Sequence, residues 1–145
     1  MRIWTAIALA TILLLSGCKK SLIAAQQNFL EQYFENNILN QNFTVKLATD
    51  SSVDITPNYN GYYFKLLKNT LLDGPMTAVK GSNTYTGTWS CNDDYSKLTI
   101  NFTSSVPPEF IFLTRDWKFT KKDVPVMQLA PWGTLDPKVL WMERQ

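Results

Sequence analysis

Hydrophobic positions follow a helical period near the start of the chain and a period of two from residue 43 onward. In residues 22–35, apolar side chains recur every three or four positions and polar side chains fall on the opposite side. This spacing predicts an amphipathic helix, which Ser21 caps at its start and the Asn-rich segment 36–42 ends. The mouth of a barrel or the face of a sheet is the expected cover for its apolar stripe. The stripe consists of Leu22, Ala25, Phe29, Leu30, Tyr33 and Phe34.

Short alternating segments separated by turn-forming residues make up the rest of the chain. The clearest two, Thr84–Ser90 and Lys97–Thr103, flank the turn Asn92-Asp93-Asp94 and predict an antiparallel hairpin. The other predicted strands are Phe43–Leu47, Tyr62–Leu67, Pro75–Lys80, Trp117–Thr120, Val124–Leu129 and Val139–Met142. Strands joined by short loops pair antiparallel, and closing the sheet removes its open edges. We therefore predict a mainly β fold, an up-and-down antiparallel barrel of about eight strands with one N-terminal helix, and keep a β-sandwich as the alternative.

The first 18 residues carry a targeting pattern. A charged start, Met1-Arg2, precedes the apolar run Ile3–Leu15, which is too short for a comfortable membrane span. The run ends in Leu15-Ser16-Gly17-Cys18, which resembles the lipobox of bacterial lipoproteins. That resemblance implies lipidation of Cys18 and cleavage of the chain just before it. An ordinary secretory signal with an incidental cysteine is the alternative.

The lipobox resemblance also implies a location and a division of the chain. The cysteine is followed by Lys19-Lys20 rather than by Asp, which resembles lipoproteins sorted to the outer membrane. The pattern does not specify which face of that membrane carries the protein. We therefore expect a cell-envelope protein attached to the membrane through its lipid. The predicted organisation is a signal peptide over residues 1–17, a lipidated tether and helix over 18–40, and a lipocalin-like β-barrel domain over 41–145.

The residue inventory excludes several kinds of chemistry. Histidine is absent, which removes Ser-His-Asp and Cys-His nucleophilic systems, paired-histidine zinc motifs and any imidazole proton relay. With Cys18 lipidated, Cys91 has no partner for an intramolecular disulfide. We interpret Cys91 as a half-buried small side chain, with a reactive free thiol as the alternative. The chain carries 14 Lys and Arg against 12 Asp and Glu without a basic patch, so we expect no nucleic-acid partner.

Five stretches of the barrel region together form a pattern of Gly-x-Trp, an acidic turn, an alternating strand and a downstream Trp. They are Gly61–Phe64, Gly81–Ser90, Asp93–Phe102, Leu113–Lys118 and Met127–Leu129. This pattern resembles the lipocalin-like lipoproteins of Bacteroidetes-type bacteria, and the resemblance implies a small lipocalin-like barrel without specifying an activity. In lipocalins the Gly-x-Trp motif opens the first strand, whereas Gly87-Thr88-Trp89 lies in the middle of this chain. We therefore do not assign the ligand site of lipocalins to any residues of this sequence. Gly87 is expected to leave room on the inner face, and Trp89 to fill the neighbouring space.

Aromatic residues on predicted inward faces form the candidate ligand site of a hollow barrel. They are Phe64, Tyr85, Trp89, Phe102, Trp117 and Trp141. An eight-stranded barrel is just wide enough to be filled by side chains or to hold one small ligand. We expect the filled core, and keep binding or transport of a small apolar ligand as the alternative.

The acidic residues give no strong case for catalysis or metal binding. Asp93-Asp94 and the pair Arg115-Asp116 are the candidates for acid–base chemistry. Adjacent carboxylates in a hairpin loop are usually turn residues, and successive strand residues point to opposite faces. Two acids without further spaced oxygen ligands also fall short of a calcium loop. We therefore predict no catalytic residues, no metal and no cofactor.

The function expected from the sequence is a membrane-anchored, non-catalytic lipoprotein that serves as an interaction or structural module of the envelope. Its partner would be an envelope protein. The candidate contact groups are Trp132, in a Pro- and Gly-containing loop, and the Pro107-Pro108 loop, because an exposed aromatic residue is a common anchor in protein interfaces.

Overall fold

A computed structural model describes residues 3–103 and 105–145, with side chains described from residue 20 onward. Two α-helices, nine strands and one 3₁₀ turn follow each other in these residues. The helices are α1 (Ile3–Asn37) and α2 (Phe110–Leu113), and the 3₁₀ turn is Thr56–Tyr59. The strands are β1 (Phe43–Asp50), β2 (Val53–Asp54), β3 (Tyr63–Leu66), β4 (Asp73–Lys80), β5 (Asn83–Cys91), β6 (Lys97–Asn101), β7 (Arg115–Lys121), β8 (Val126–Pro131) and β9 (Lys138–Arg144).

Eight of these strands form a closed antiparallel barrel. From β3 to β9 each strand pairs with its neighbour in sequence, and β9 closes the sheet on β1 over seven residue pairs. The short strand β2 is an additional strand that folds back on the end of β1. The predicted up-and-down barrel is therefore confirmed, and the alternative sandwich is wrong because the first and last strands pair directly.

The seam between β1 and β3 is narrow, and one backbone and one side-chain hydrogen bond from the neighbouring segment reinforce it. Only Phe43 and Phe64 pair across it. Beyond that pair the 3₁₀ segment runs alongside β1, where the Ile55 amide donates to the Ala48 carbonyl (2.9 Å) and the Ala48 amide donates to Thr56 Oγ1 (2.9 Å). These bonds satisfy backbone groups that a neighbouring strand would otherwise pair.

The last turns of α1 and the residues that follow them close one mouth of the barrel, which we call the helix end. Phe34, Ile38 and Leu39 are each at most 1% exposed. The helix stops where Asn40 adopts a left-handed conformation (φ 60°), which asparagine tolerates better than most residues. The Asn40 amide then donates to the Leu66 carbonyl (2.8 Å), so the helix leads directly onto the sheet.

The remainder of the helix differs from the prediction in length and in burial. The helix spans Ile3–Asn37 rather than 22–35. Leu30 packs against the core, but Leu22 and Phe29 are 69% and 67% exposed, so the expectation that the whole stripe is covered is wrong. The reasons are geometric. Residues 20–26 project beyond the barrel and are all exposed, and Phe29 lies about 140° around the helix from Phe34, so it points away from the barrel.

The opposite mouth, which we call the distal end, is covered by the 3₁₀ turn and α2. The apolar run Phe110–Leu113 forms this one-turn helix, and the Phe110 amide donates to the Pro107 carbonyl (3.0 Å). Tyr59 Oη donates to the Glu109 carbonyl oxygen (2.7 Å) and joins the two covers. Among the residues with described side chains, no helix combines the length and apolarity needed to cross a membrane.

Candidate functional site

The interior of the barrel is the first candidate site, and the structure fills it with side chains. Of the six aromatic residues predicted to line it, Phe64, Trp89 and Trp117 are at most 1% exposed and Phe102 is 5% exposed. Tyr85 is half-buried at the distal end. Five of the predicted residues thus face the interior, as expected. They contact other side chains there, at ring distances typical of packed aromatic cores.

Trp89 belongs to a cluster at the helix end. The Phe34 ring reaches down from α1 to centroid distances of 5.8 Å from Trp89, 4.8 Å from Tyr95 and 6.2 Å from Phe119. Trp89 Nε1 donates to the Leu67 carbonyl (2.8 Å), so its one polar atom is satisfied by the chain itself. A ligand entering from this end would have to displace the helix.

Phe110 is the centre of a second cluster at the distal end. Its ring lies 4.8 Å from Phe102, 5.2 Å from Tyr62, 5.5 Å from Tyr85 and 5.9 Å from Phe64 between centroids. Three of these neighbours are predicted ligand residues. Phe110 occupies the space that a ligand held by them would need.

Trp117 and Trp141 complete the predicted set, with different outcomes. Trp117 is buried, and its Nε1 donates to the Leu113 carbonyl (2.9 Å). Trp141 was expected to face inward, and that expectation is wrong. Its neighbours Leu140 and Met142 are both fully buried, and because side chains alternate along a strand, Trp141 points to the outer face, where it is only half-buried.

The interpretation of Gly87 and Trp89 as structural residues agrees with the packing. A Cβ atom on Gly87 would lie 2.4 Å from the Asn101 carbonyl oxygen and 2.7 Å from the Phe102 ring. Gly74 is tighter still, since a Cβ atom there would lie 1.9 Å from the Leu67 oxygen. Both glycines permit close approaches of chain segments inside the fold.

The acidic candidates for catalysis lie on the surface in ordinary structural roles. Asp94 Oδ1 accepts hydrogen bonds from the amide and the hydroxyl of Ser96 (2.9 and 2.6 Å), and these bonds lower the pKa of the Asp94 carboxyl. The pKa of the Asp116 carboxyl is also lowered, chiefly by a hydrogen bond from the Thr99 hydroxyl (2.6 Å). Neither carboxyl has the raised pKa that a general acid at neutral pH requires.

The remaining ionisable candidates do not combine into a reactive group. Arg115 donates from Nε to the Phe112 carbonyl (2.8 Å) and lies over the Phe112 and Trp117 rings. Burial raises the pKa of the Cys91 thiol to about 12, so the thiol is protonated and unreactive at neutral pH. Within the described part of the chain, no three His, Cys, Asp or Glu residues are arranged to hold a metal ion.

A groove on the outer wall is the second candidate site. It has a volume of about 570 Å³ and is lined mainly by polar residues of β4, β5, β6 and the loop before β4. Several of these polar groups already bond to each other or to neighbours. Asp73 Oδ1 accepts from Asn69 Nδ2 (3.2 Å) and Thr70 Oγ1 (2.8 Å), and Thr99 donates to Asp116. Three polar residues of the groove, Asn69, Asp73 and Thr99, therefore already form hydrogen bonds within the protein.

The distal end exposes several large apolar side chains that sequence reasoning missed. Leu135 is 102% exposed, Ile111 71% and Val53 62%. Leu135 lies in the β8–β9 loop, Val53 follows the β1–β2 turn and Ile111 lies on α2, so all three belong to segments at the distal end. Exposed apolar residues at one end of a fold are candidates for an interaction surface.

Trp132, the loop aromatic singled out in the sequence, folds back instead. It is 38% exposed. Its amide donates to the Asp116 carbonyl (3.0 Å), and Lys97 Nζ lies 5.8 Å from the centre of its ring. Trp132 therefore lies against the outer wall.

The sequence did carry a signal for the helix that covers the distal end. The apolar run Phe110–Leu113 follows Pro107-Pro108, and Pro favours the first turn of a helix. The structure does not describe the side chains of Leu15–Cys18, which include the lipidation candidate Cys18.

Comparison with known proteins identifies the fold. No protein-family model and no curated protein matches the sequence. Among solved structures, the crystal structure of a DUF4847 family protein from Bacteroides vulgatus ATCC 8482 is similar, with a TM-score of 0.54 and 17% sequence identity. The match covers 75% of this chain and 95% of that chain. At this identity the likeness shows the fold alone: the chain is a small β-barrel protein whose fold resembles that of a family of unknown function.

Proposed function

We propose that this chain is a lipid-anchored, non-catalytic module of the bacterial cell envelope, in which a solid barrel presents its distal end to an envelope protein. The observation that carries the proposal is that the protein's own side chains fill both barrel mouths. Phe34 occupies the helix end and Phe110 the distal end. A filled barrel serves as a rigid scaffold, so its function lies on its surface.

The anchor follows from the lipobox resemblance and from the direction of the helix. Cys18 lies in the helix that leads into the barrel mouth. A lipid on Cys18 would therefore place the helix end toward the membrane and the distal end away from it. The proposed location is the outer membrane, because Lys19-Lys20 follow the cysteine.

The partner surface is the set of exposed apolar side chains at the distal end, Val53, Ile111 and Leu135. A lipid at the opposite end leaves these side chains free to meet another envelope component. The interior supports the non-catalytic part of the proposal, because no polar or charged residue other than tyrosine is buried among the described residues. The alternative, a small apolar ligand in the barrel, would require Phe110 to leave its cluster.

Two experiments in the native host test the proposal. Metabolic labelling with a clickable fatty acid should label the wild-type protein and leave Cys18→Ser unlabelled. A wild-type protein that takes up no label, or a Cys18→Ser protein that takes up as much label as the wild type, would contradict the anchor.

The partner surface is tested by photo-crosslinking from a reactive residue at Leu135, with Thr86 on the outer wall as the matched exposed position. The same envelope protein should be captured repeatedly from position 135 and not from position 86. Equal capture from both positions, or none from position 135, would remove the distal end as the contact surface.

A further inference from the structure

The N-terminal part of the described helix carries apolar side chains that the barrel does not cover. Leu22, Ile23 and Phe29 are 69%, 68% and 67% exposed. Leu22 and Phe29 are seven residues apart, which is about two helical turns, so they share one face. Ile23 lies about 100° around the helix from Leu22, in line with Leu30 and Phe34, and is exposed because the barrel does not extend that far. Leu22 and Phe29 define what we call the uncovered helix face.

The contacts of α1 locate this face relative to the barrel. Gln27 Nε2 donates to the Asp93 carbonyl (2.8 Å), and Tyr33 Oη donates to the Lys122 carbonyl (3.2 Å). From Gln27 onward the helix therefore rests on the turns of the helix end. Phe29 points away from the core and stacks on Tyr33, with 6.5 Å between ring centroids. Residues 20–26 project beyond the barrel.

The projecting turns would gain helical stability from a covering surface. If the chain is cut before Cys18, as proposed above, residues 18–26 are fewer than the roughly 12–15 residues at which isolated helices become even marginally stable in water. The docked turns supply the nucleus from which these residues extend, so the extension frays chiefly at its free end. An apolar surface that covers Leu22 would stabilise it further.

Position and charge together identify that surface. At a rise of about 1.5 Å per residue, Leu22 lies about 6 Å and Phe29 about 16 Å along the helix axis from Cys18. Acyl chains attached to Cys18 would hold this stretch at the membrane surface. Lys19 and Lys20 precede the face, and the first acidic residue after them is Glu31. A basic, apolar helix without acidic residues suits an interface with anionic lipid.

We propose that residues 19–29 lie along the bilayer surface, with Leu22 and Phe29 in the boundary between headgroups and acyl chains. This inference rests on the proposed lipid anchor and extends it. The anchor then has two parts, the acyl chains and the helix face. The helix fixes the orientation of the barrel on the membrane, which a lipid on a flexible tether would not.

The experiment uses the full chain, lipidated and purified from membranes, in vesicles of phosphatidylethanolamine and phosphatidylglycerol. An environment-sensitive fluorophore is placed on Ala25→Cys, with Leu135→Cys as the distal control, both in a Cys91→Ala background. Lipids with brominated acyl chains should quench the probe at position 25 several-fold more strongly than the probe at position 135. The double variant Leu22→Ser/Phe29→Ser should lower the quenching at position 25 to the control level while the protein still floats with the vesicles.

The outcomes separate this inference from the anchor. A protein that fails to float with the vesicles refutes the lipid anchor and this inference together. A protein that floats but shows equal, weak quenching at positions 25 and 135 retains the anchor and refutes the interfacial helix. Energy transfer between labelled copies that disappears on dilution in the membrane would mean that a second copy covers the face, which also overturns the inference.

Discussion

Replacing Phe34 tests whether the end of α1 is part of the barrel core or only a tether. Phe34 is 1% exposed and contacts the rings of Trp89, Tyr95 and Phe119. Phe34→Ala removes these contacts and leaves a cavity under the helix, and such changes cost about 3–5 kcal/mol in well-packed cores. We expect a loss of this size in the free energy of unfolding. For a domain of this size it corresponds to a fall in Tm of about 10–20 °C.

The matched control lies on the same helix. Phe29→Ala is the same chemical change at a position that is 67% exposed, so in the absence of a membrane the loss should stay within about 0.5 kcal/mol. Urea unfolding followed by tryptophan fluorescence measures both variants, and Trp89 reports directly on the Phe34 site. If Phe34→Ala does not fold, Phe34→Leu, which keeps an apolar body, should still fold with a smaller loss. Equal stabilities of Phe34→Ala and Phe29→Ala would refute the assignment of the helix end to the core.

Three further predictions concern single positions. Gly74→Ala places a Cβ atom 1.9 Å from the Leu67 oxygen, so it should cost at least about 1–3 kcal/mol of stability, and a neutral effect in urea unfolding would contradict the close approach. Because the pKa of Asp116 is lowered in the folded protein, its contribution to stability is present above the unfolded value near 3.8 and is lost as pH falls below it. Asp116→Asn should therefore flatten the acid limb of a stability–pH curve, and an unchanged limb would exclude that contribution. Burial raises the pKa of Cys91 to about 12, so a maleimide at neutral pH should label the native protein far more slowly than the urea-unfolded protein, whereas equal rates would mean that the thiol is accessible.

The barrel was predictable because most of its strands alternate cleanly. In β6, Leu98 and Ile100 are buried and their neighbours are half-buried or exposed, as the period of two requires. The pairing of β9 with β1 could be expected only from the general rule that closing a sheet removes its unpaired edges. No local sequence pattern shows which two strands form the closing pair. The register shifts in β1 and β7 depend on packing across the whole barrel and leave no simple mark in the sequence.

The burial of individual aromatic residues was less predictable than the fold. Trp141 was grouped with the inward-facing aromatic residues, although the alternation with Leu140 and Met142 assigns it to the outer wall. Phe29 and Phe34 were assigned to one apolar stripe, but five residues place them about 140° apart around the helix, so Phe34 faces the barrel and Phe29 points away from it. Periodicity shows which residues share a face, but the docking position of the helix decides how much of that face is covered.

The filled barrel with closed mouths is the central claim, and native mass spectrometry tests it most directly. The protein is purified from its own membranes in a mild detergent and measured at energies that retain non-covalently bound compounds. We predict one species, with the mass of the chain from Cys18 onward plus its acyl groups and nothing bound in the interior. A stoichiometric apolar compound that survives purification and leaves only on unfolding would contradict a barrel filled by Phe34, Phe110 and the aromatic residues between them.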